Sequence, residues 1–154
     1  MIGPCSAFKQ IAYKHLNARQ KELFNFQKLA ATFADRGFNC IKLADDWQGA
    51  DFIAYHATEN CTLRVPLKSR ITIDHKKYGG ISKDIWMAFP HKNQDWYLIR
   101  HDSLVEKIRT HTKWLLSDSW KEQNAYSSTS INPALLESLT EDRLGPVYGS
   151  ILEE

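Results

Sequence analysis

Two residues of opposite charge sit inside adjacent apolar runs. Gly49-Ala50-Asp51-Phe52-Ile53-Ala54-Tyr55 opens one run near a carboxylate, and Arg64-Val65-Pro66-Leu67-Lys68-Ser69-Arg70 carries a lysine in the next. If both runs are strands and pair, Asp51 and Lys68 lie side by side at the edge of a buried sheet. Alternation puts Leu63, Val65 and Leu67 on one face of the second strand and Arg64, Pro66 and Lys68 on the other. A lysine there is costly to bury unless a carboxylate or an anionic ligand compensates it, and Asp51 can supply that charge. The chemistry such a pair suits is metal-assisted phosphodiester hydrolysis. Asp51 would bind Mg²⁺, which prefers oxygen ligands and keeps several waters, with Mn²⁺ as a substitute, and the Leu67 carbonyl is a further ligand of the right type. The metal would polarise the phosphoryl oxygen and acidify a bound water, while Lys68 positions or deprotonates that water or offsets charge on the phosphate. The plainer alternative is an edge lysine whose stem packs while its head reaches solvent, beside an aspartate that ends a turn.

The elements that would hold this pair follow from periodicity and breakers. Phe8, Ile11, Ala12 and Leu16 have helical spacing over residues 6–16, and Leu23, Phe26, Ala30, Phe33 and Ala34 mark the apolar face of a helix over 19–36. Gly37 is suited to stop it. Strands are predicted over 38–43, 51–56 and 62–69, with Asp45 to Gly49 and Glu59-Asn60 as turns. Ile71 to Ile73 either extends the third strand or bends away, and 75–80 reads as a loop. Strands over 84–89, stopped by Pro90, and 95–100 form a hairpin. Asp102 or Ser103 would cap a helix starting near Leu104. The polar stretch 117–132 reads as a loop or flexible arm. Asn132-Pro133 would begin a last helix over 134–144, ended by Gly145-Pro146. Trp114, Leu115, Leu116 and Trp120 form an apolar cluster suited to the core or to a dimer interface.

Composition sets the class. The chain has 154 residues, 43% hydrophobic and 25% charged, as in an ordinary folded domain rather than a disordered chain. No apolar run is long enough to cross a bilayer, and the first residues lack the pattern of a secretory leader, so the expectation is a cytoplasmic protein with no membrane role. Cys5, Cys40 and Cys61 are too widely spaced for a zinc motif and read as reduced packing residues. Net charge is only +2, but it is unevenly spread. Between Arg64 and Lys92 seven basic residues face only Asp74 and Asp84, a local excess of about +5, whereas 135–154 carries about −4. A solvated lysine-rich loop and a polyanion-binding segment both fit that asymmetry.

Taken in order, the helix, Gly37-Phe38-Asn39-Cys40, Gly49-Ala50-Asp51 and Val65-Pro66-Leu67-Lys68-Ser69-Arg70 resemble the PD-(D/E)XK nuclease superfamily, which includes restriction endonucleases and archaeal Holliday-junction resolvases. The resemblance runs from about Gln20 to Arg70 and continues more weakly to about Ile108. It implies an α/β fold with a restriction endonuclease-like core, a central mixed β-sheet of about five strands flanked by helices, with extra C-terminal helices. The chain would be one such domain over 1–154, with its core at about 19–110 and an extension at about 111–154. The resemblance implies that Asp51 is the metal-binding aspartate and Lys68 the catalytic lysine. For the residue contributed by the first helix, Glu22 has the right chemistry and Gln27 the better spacing, while a solvated helix face is the plain reading of both. Arg70, Lys76 and Lys77 are suited to hold phosphates without reading sequence.

Pro66 departs from the pattern, which places Glu, Asp or Gln two residues before the lysine. Proline offers neither a side-chain ligand nor an N–H. The implied activity is metal-dependent DNA endonuclease action of restriction or resolvase/homing type on duplex or branched DNA. A homodimer or higher homo-oligomer would be needed to cut both strands. The alternative is a catalytically weakened or inactive nucleic-acid-binding protein on the same fold.

Overall fold

Helix α1 (Ala18–Ala34) begins on a reciprocal cap. The Asn17 side chain accepts from the Gln20 N–H at 2.8 Å, and the Gln20 side chain accepts from the Asn17 N–H at 2.9 Å. The helix presents Phe26, Leu29 and Phe33 to one face of a sheet, where Phe26 and Phe33 meet Phe52 edge-on at 5.1 and 5.9 Å between centroids. Past its end the chain turns at Gly37, where φ is +84° and a Cβ would lie 2.7 Å from the His56 ring, so a side chain is excluded twice over.

The computed structural model describes residues 7–92 and 94–148. Strands β1 (Phe38–Trp47) and β2 (Ala50–His56) form a hairpin with a register shift between Lys42 and Trp47. Strand β3 (Thr62–Val65) pairs antiparallel with β2, from Phe52 opposite Val65 to Tyr55 opposite Thr62. Two parallel bridges, Arg64 to Ile85 and Leu67 to Ala88, join this half to β5 (Trp86–His91). β5 forms a hairpin with β6 (Asp95–Arg100), and β8 (Arg143–Pro146) adds to the far side of β6. The order β1-β2-β3-β5-β6-β8 makes a mixed arrangement of six strands, joined at its centre by the two bridges.

Two apolar clusters lie on opposite faces of these strands. One holds Leu29 and Phe33 of α1 against Phe52, Ala54, Leu63, Val65, Ala88 and Trp96. The other holds Met87, Phe89, Tyr97 and Ile99 against Leu104, Val105 and Ile108 of α3 (His101–His111) and Leu135 of α5 (Pro133–Ser138). Beside the second cluster, β4 (Ile71–Asp74) pairs with β7 (Ala125–Ser128) as a separate ribbon, and α2 (His75–Tyr78) follows β4 directly. The architecture is a mixed α/β fold with helices on both faces and further short helices, α4 (Asp118–Gln123) and α5, towards its C-terminal end.

Several local expectations are corrected. Residues 7–16 form no α-helix: only short 3₁₀ turns occur, and among the described residues none covers Phe8 or Ile11, which are exposed. The 117–132 stretch is not an arm. It forms α4 and β7, and Trp114 and Trp120 pack towards the core while Leu116 stays exposed. The last helix stops at Ser138, and Arg143 to Pro146 is strand rather than helix end. Asp102 and Ser103 cap nothing at α3, which starts at His101; Asp102 instead accepts from the Gly80 N–H at 3.2 Å. Residues 75–80 are not all loop, because α2 occupies the first four. Asp45 and Asp46 belong to β1, and the turn is confined to Gln48-Gly49.

Pro90 lies inside β5 rather than stopping it. The N–H and carbonyl of Ala88 face the β3 side, where they meet the Pro66 carbonyl and the Lys68 N–H. Two residues on, the Pro90 nitrogen points to the same side, past the point where the chain has left the sheet for β4, so no ladder bond is lost. Cys40 and Cys61 are free, partly buried thiols, and burial pushes Cys40 up to about 12. Cys5 and the terminal Glu153 and Glu154 lie outside the described residues. Among the described residues, no helix is long and apolar enough to cross a membrane.

Candidate active site at the β2–β3 edge

The register that pairs Phe52 with Val65 brings Asp51 opposite Pro66. β3 ends at Val65, and Pro66 turns its carbonyl, and with it its nitrogen, towards Ala88 on the other side. The next N–H, that of Leu67, donates instead to Oδ2 of Asp51 at 2.7 Å. The Asp51 carboxylate therefore substitutes for a strand carbonyl at the point where pairing fails. On the other side of the same segment, the Lys68 N–H donates to the Ala88 carbonyl at 2.9 Å and the Ala88 N–H to the Pro66 carbonyl at 3.1 Å. The segment carrying Lys68 is thus fixed from both sides. The Leu67 carbonyl accepts no backbone N–H among the described residues, which leaves it free as an oxygen ligand.

Alternation from the buried Phe52, Ala54 and Val65 puts Asp51, Ile53 and Arg64 on the sheet face away from α1. Asp51 is half-buried there. Burial raises its carboxyl above the ordinary value; the Leu67 N–H and the charge of Lys68 oppose that rise, and Asp46 and Glu22 add to it. Asp51 and Lys68 are therefore electrostatic neighbours, but they form no direct ion pair among the described residues. The Lys68 ammonium lies 5.4 Å from the centre of the Tyr78 ring, and Lys77 lies 5.5 Å from the same ring. Tyr78 is fully buried under Gly49, where a Cβ would approach it to 3.2 Å.

Glu22 sits on α1 and pairs with Lys42 at 3.1 Å, close enough to influence Asp51 but already bonded. Gln27 is exposed on α1, next to Phe26, which packs inward, and nothing brings it to Asp51. Lys77 is bonded to Oδ2 of Asp46 at 3.1 Å, and this hydrogen bond raises the lysine above its ordinary value. Lys76 is exposed on α2. Arg70 is exposed beyond β3 and lines a separate cleft of about 210 Å³ with His91, Lys92 and Ser128.

Two further residues contribute to the site. Asp46, for which the sequence offers either help in metal binding or a turn role, links Lys77, the Gly49 N–H at 2.8 Å and the field at Asp51. Tyr78 carries no signal in the sequence, because the four-residue helix that holds it is too short to show periodicity.

Among the described residues no three His, Cys, Asp or Glu side chains gather as a ready cation cage. The donor set is one carboxylate and one free carbonyl. That fits a hard divalent ion only of the kind that completes its shell with water and substrate oxygens.

No protein-family model matches this chain, and no curated protein matches it in sequence. Among solved structures it is similar to Hjc, a Holliday junction resolvase from the archaeal hyperthermophile Archaeoglobus fulgidus. The similarity covers 53% of this chain and 74% of that one, at 13% identity and a TM-score of 0.42. So loose a likeness carries no argument about chemistry, which rests on this chain's own residues.

Proposed function

We propose that this protein is a metal-dependent DNA endonuclease whose centre is Asp51 and Lys68. The observation that carries the reading is their neighbourhood: a half-buried carboxylate with a raised pKa, pinned by the Leu67 N–H, with a lysine on the very next residue opposing that rise. In this reading Asp51 and the Leu67 carbonyl hold Mg²⁺ or Mn²⁺, which when bound supplies Lewis acidity and an acidified water. Lys68, held by its backbone bond to Ala88, places its ammonium where charge develops on the phosphate. Glu22 and Asp46 keep the local field negative and favour a cation beside Asp51. Arg70, Lys76 and Lys77 contact the backbone of duplex or branched DNA, and two copies of the chain act together on its two strands.

A second reading has its own observation. Pro66 is buried opposite Asp51, at the position where a second ligand would be expected, and it can provide none. That favours a nucleic-acid-binding protein whose catalytic power is reduced or lost.

The deciding experiment incubates plasmid, linear duplex and branched DNA with the protein and Mg²⁺ or Mn²⁺. The endonuclease reading expects metal-dependent nicks or breaks that disappear in Asp51→Asn and Lys68→Ala. Salt-sensitive DNA retention without cleavage under either metal would favour the second reading.

A further inference from the structure

Trp47 is 50% exposed at the tip of the β1–β2 hairpin. Its position is held firmly. It pairs with Ala50 across a two-residue turn whose Gln48 and Gly49 have φ of +53° and +89°, the sign a tight hairpin turn of this length requires. The Gly49 N–H is also bonded to Asp46. The Arg64 guanidinium lies 5.7 Å from the indole centre and bonds to the Gln48 side chain.

Arg64, Gln48, Gly49, Lys77, Ser82 and Lys83 line a cleft of about 420 Å³, within the size range of small-ligand sites. No carboxylate lines it. Lys77 is offset by Asp46, but Arg64 and Lys83 pair with no carboxylate among the described residues. Lys83 is instead oriented by the carbonyls of Lys76 and Lys77, at 3.1 and 3.4 Å. Two fixed, uncompensated cations attract a phosphate, and a half-exposed indole offers a surface to the π face of a base. In an intact duplex the bases are stacked on one another and cannot reach such a ring.

We infer that this cleft, with the Trp47 indole standing just outside its lining beside Arg64, binds one nucleotide of a DNA strand whose base is unstacked, the phosphate between Arg64 and Lys83 and the base on Trp47. The inference rests on the phosphodiesterase reading of Asp51, whose side chain shares a sheet face with Arg64. It narrows the substrate to DNA carrying single-stranded or splayed nucleotides.

Fluorescence anisotropy in the presence of EDTA tests it, because binding is then read apart from cleavage. The probes are labelled oligo-dT, a forked duplex and a blunt duplex. Wild type should bind the first two more tightly than the third. Trp47→Ala should weaken oligo-dT and fork binding by about tenfold, the scale of one stacked base, and leave the blunt duplex unchanged. Trp47→Phe should recover most of the loss. Arg64→Ala and Lys83→Ala should weaken all three probes and each reduce the salt slope by somewhat under one. Thermal melts of every variant separate a lost contact from a lost fold.

Equal binding by wild type and Trp47→Ala would overturn the inference, as would preference for the blunt duplex. Displacement of oligo-dT by dTMP at matched nucleotide concentration would also overturn it, in favour of a free-nucleotide site. Trp47-dependent binding in a protein that never cleaves with metal would uphold the subsite while ending the endonuclease reading.

Discussion

The backbone N–H of Leu67 donates to Oδ2 of Asp51 at 2.7 Å, one residue past a proline that cannot donate at all. The same carboxylate thus closes an interrupted ladder and faces the field of Lys68. Its structural and chemical roles can be separated by substitution, because an amide oxygen still accepts the N–H but carries no charge.

Asp51→Asn should therefore fold as well as wild type or better, while Asp51→Ala should lose about 1 to 2 kcal/mol by leaving the Leu67 N–H without its partner. The pH dependence has a definite sign. With its folded pKa raised, Asp51 favours the native state below the unfolded value near 3.8, and that advantage is lost as pH rises through the folded pKa. The gain of Asp51→Asn over wild type should be seen at neutral pH and vanish in acid. Urea denaturation at the two pH values checks it.

A second pH effect lies in a buried histidine. Asp74 donates its N–H to Nε2 of His101 at 3.0 Å, so that nitrogen is unprotonated and Nδ1–H faces Asp102 at 3.2 Å. Desolvation lowers the His101 pKa, and the Asp102 hydrogen bond only partly opposes it. The stability this provides is fully present above the unfolded value near 6.5 and is lost as pH falls through the folded pKa. His101→Ala should flatten that acid-side slope and cost about 2 to 3 kcal/mol at pH 8, measured by thermal melts across pH.

Gly49→Ala should disturb the site from beneath. Its φ of +89° disfavours any side chain, and the added Cβ would meet the Tyr78 ring at 3.2 Å. A loss of about 1 to 2 kcal/mol follows from the backbone alone. Tyr78 would have to shift, and Lys68 and Lys77 lie over its ring. Chemical denaturation and a crystal structure of the variant check both parts.

Pro66→Gln and Pro66→Glu should raise metal-dependent cleavage, since each adds a side-chain oxygen ligand opposite Asp51. Rates under Mg²⁺ and Mn²⁺ compared with wild type are the readout. A variant that folds and binds DNA but gains no activity would mean that more than position 66 separates this site from a working one.

What could be read in the sequence was local. The helix ending before Gly37, the hairpin through Phe38 and His56, and the strand pair around Trp86 to Arg100 announce themselves through periodicity and breakers within a few residues. The neighbourhood of Asp51 and Lys68 was legible from two adjacent strands, but the second was expected over 62–69 and ends at Val65, so Lys68 lies beyond it. What failed was non-local or unpartnered. Ala125 to Ser128 is polar and looks like loop, and only Ile71 to Asp74, more than fifty residues earlier, makes it a strand. Phe8 and Ile11 have helical spacing but no cover among the described residues. Glu22 has the right chemistry for a site residue, yet Lys42 already holds it, a pairing no spacing rule could reveal.

The most direct test is the position of a metal. Crystals soaked in Mn²⁺ and measured for anomalous scattering should show a peak beside the Asp51 carboxylate and the Leu67 carbonyl, within reach of Lys68, and no such peak in Asp51→Asn. A wild-type map with no peak there at saturating Mn²⁺, or with Mn²⁺ bound elsewhere and unaffected by Asp51→Asn, would contradict the account.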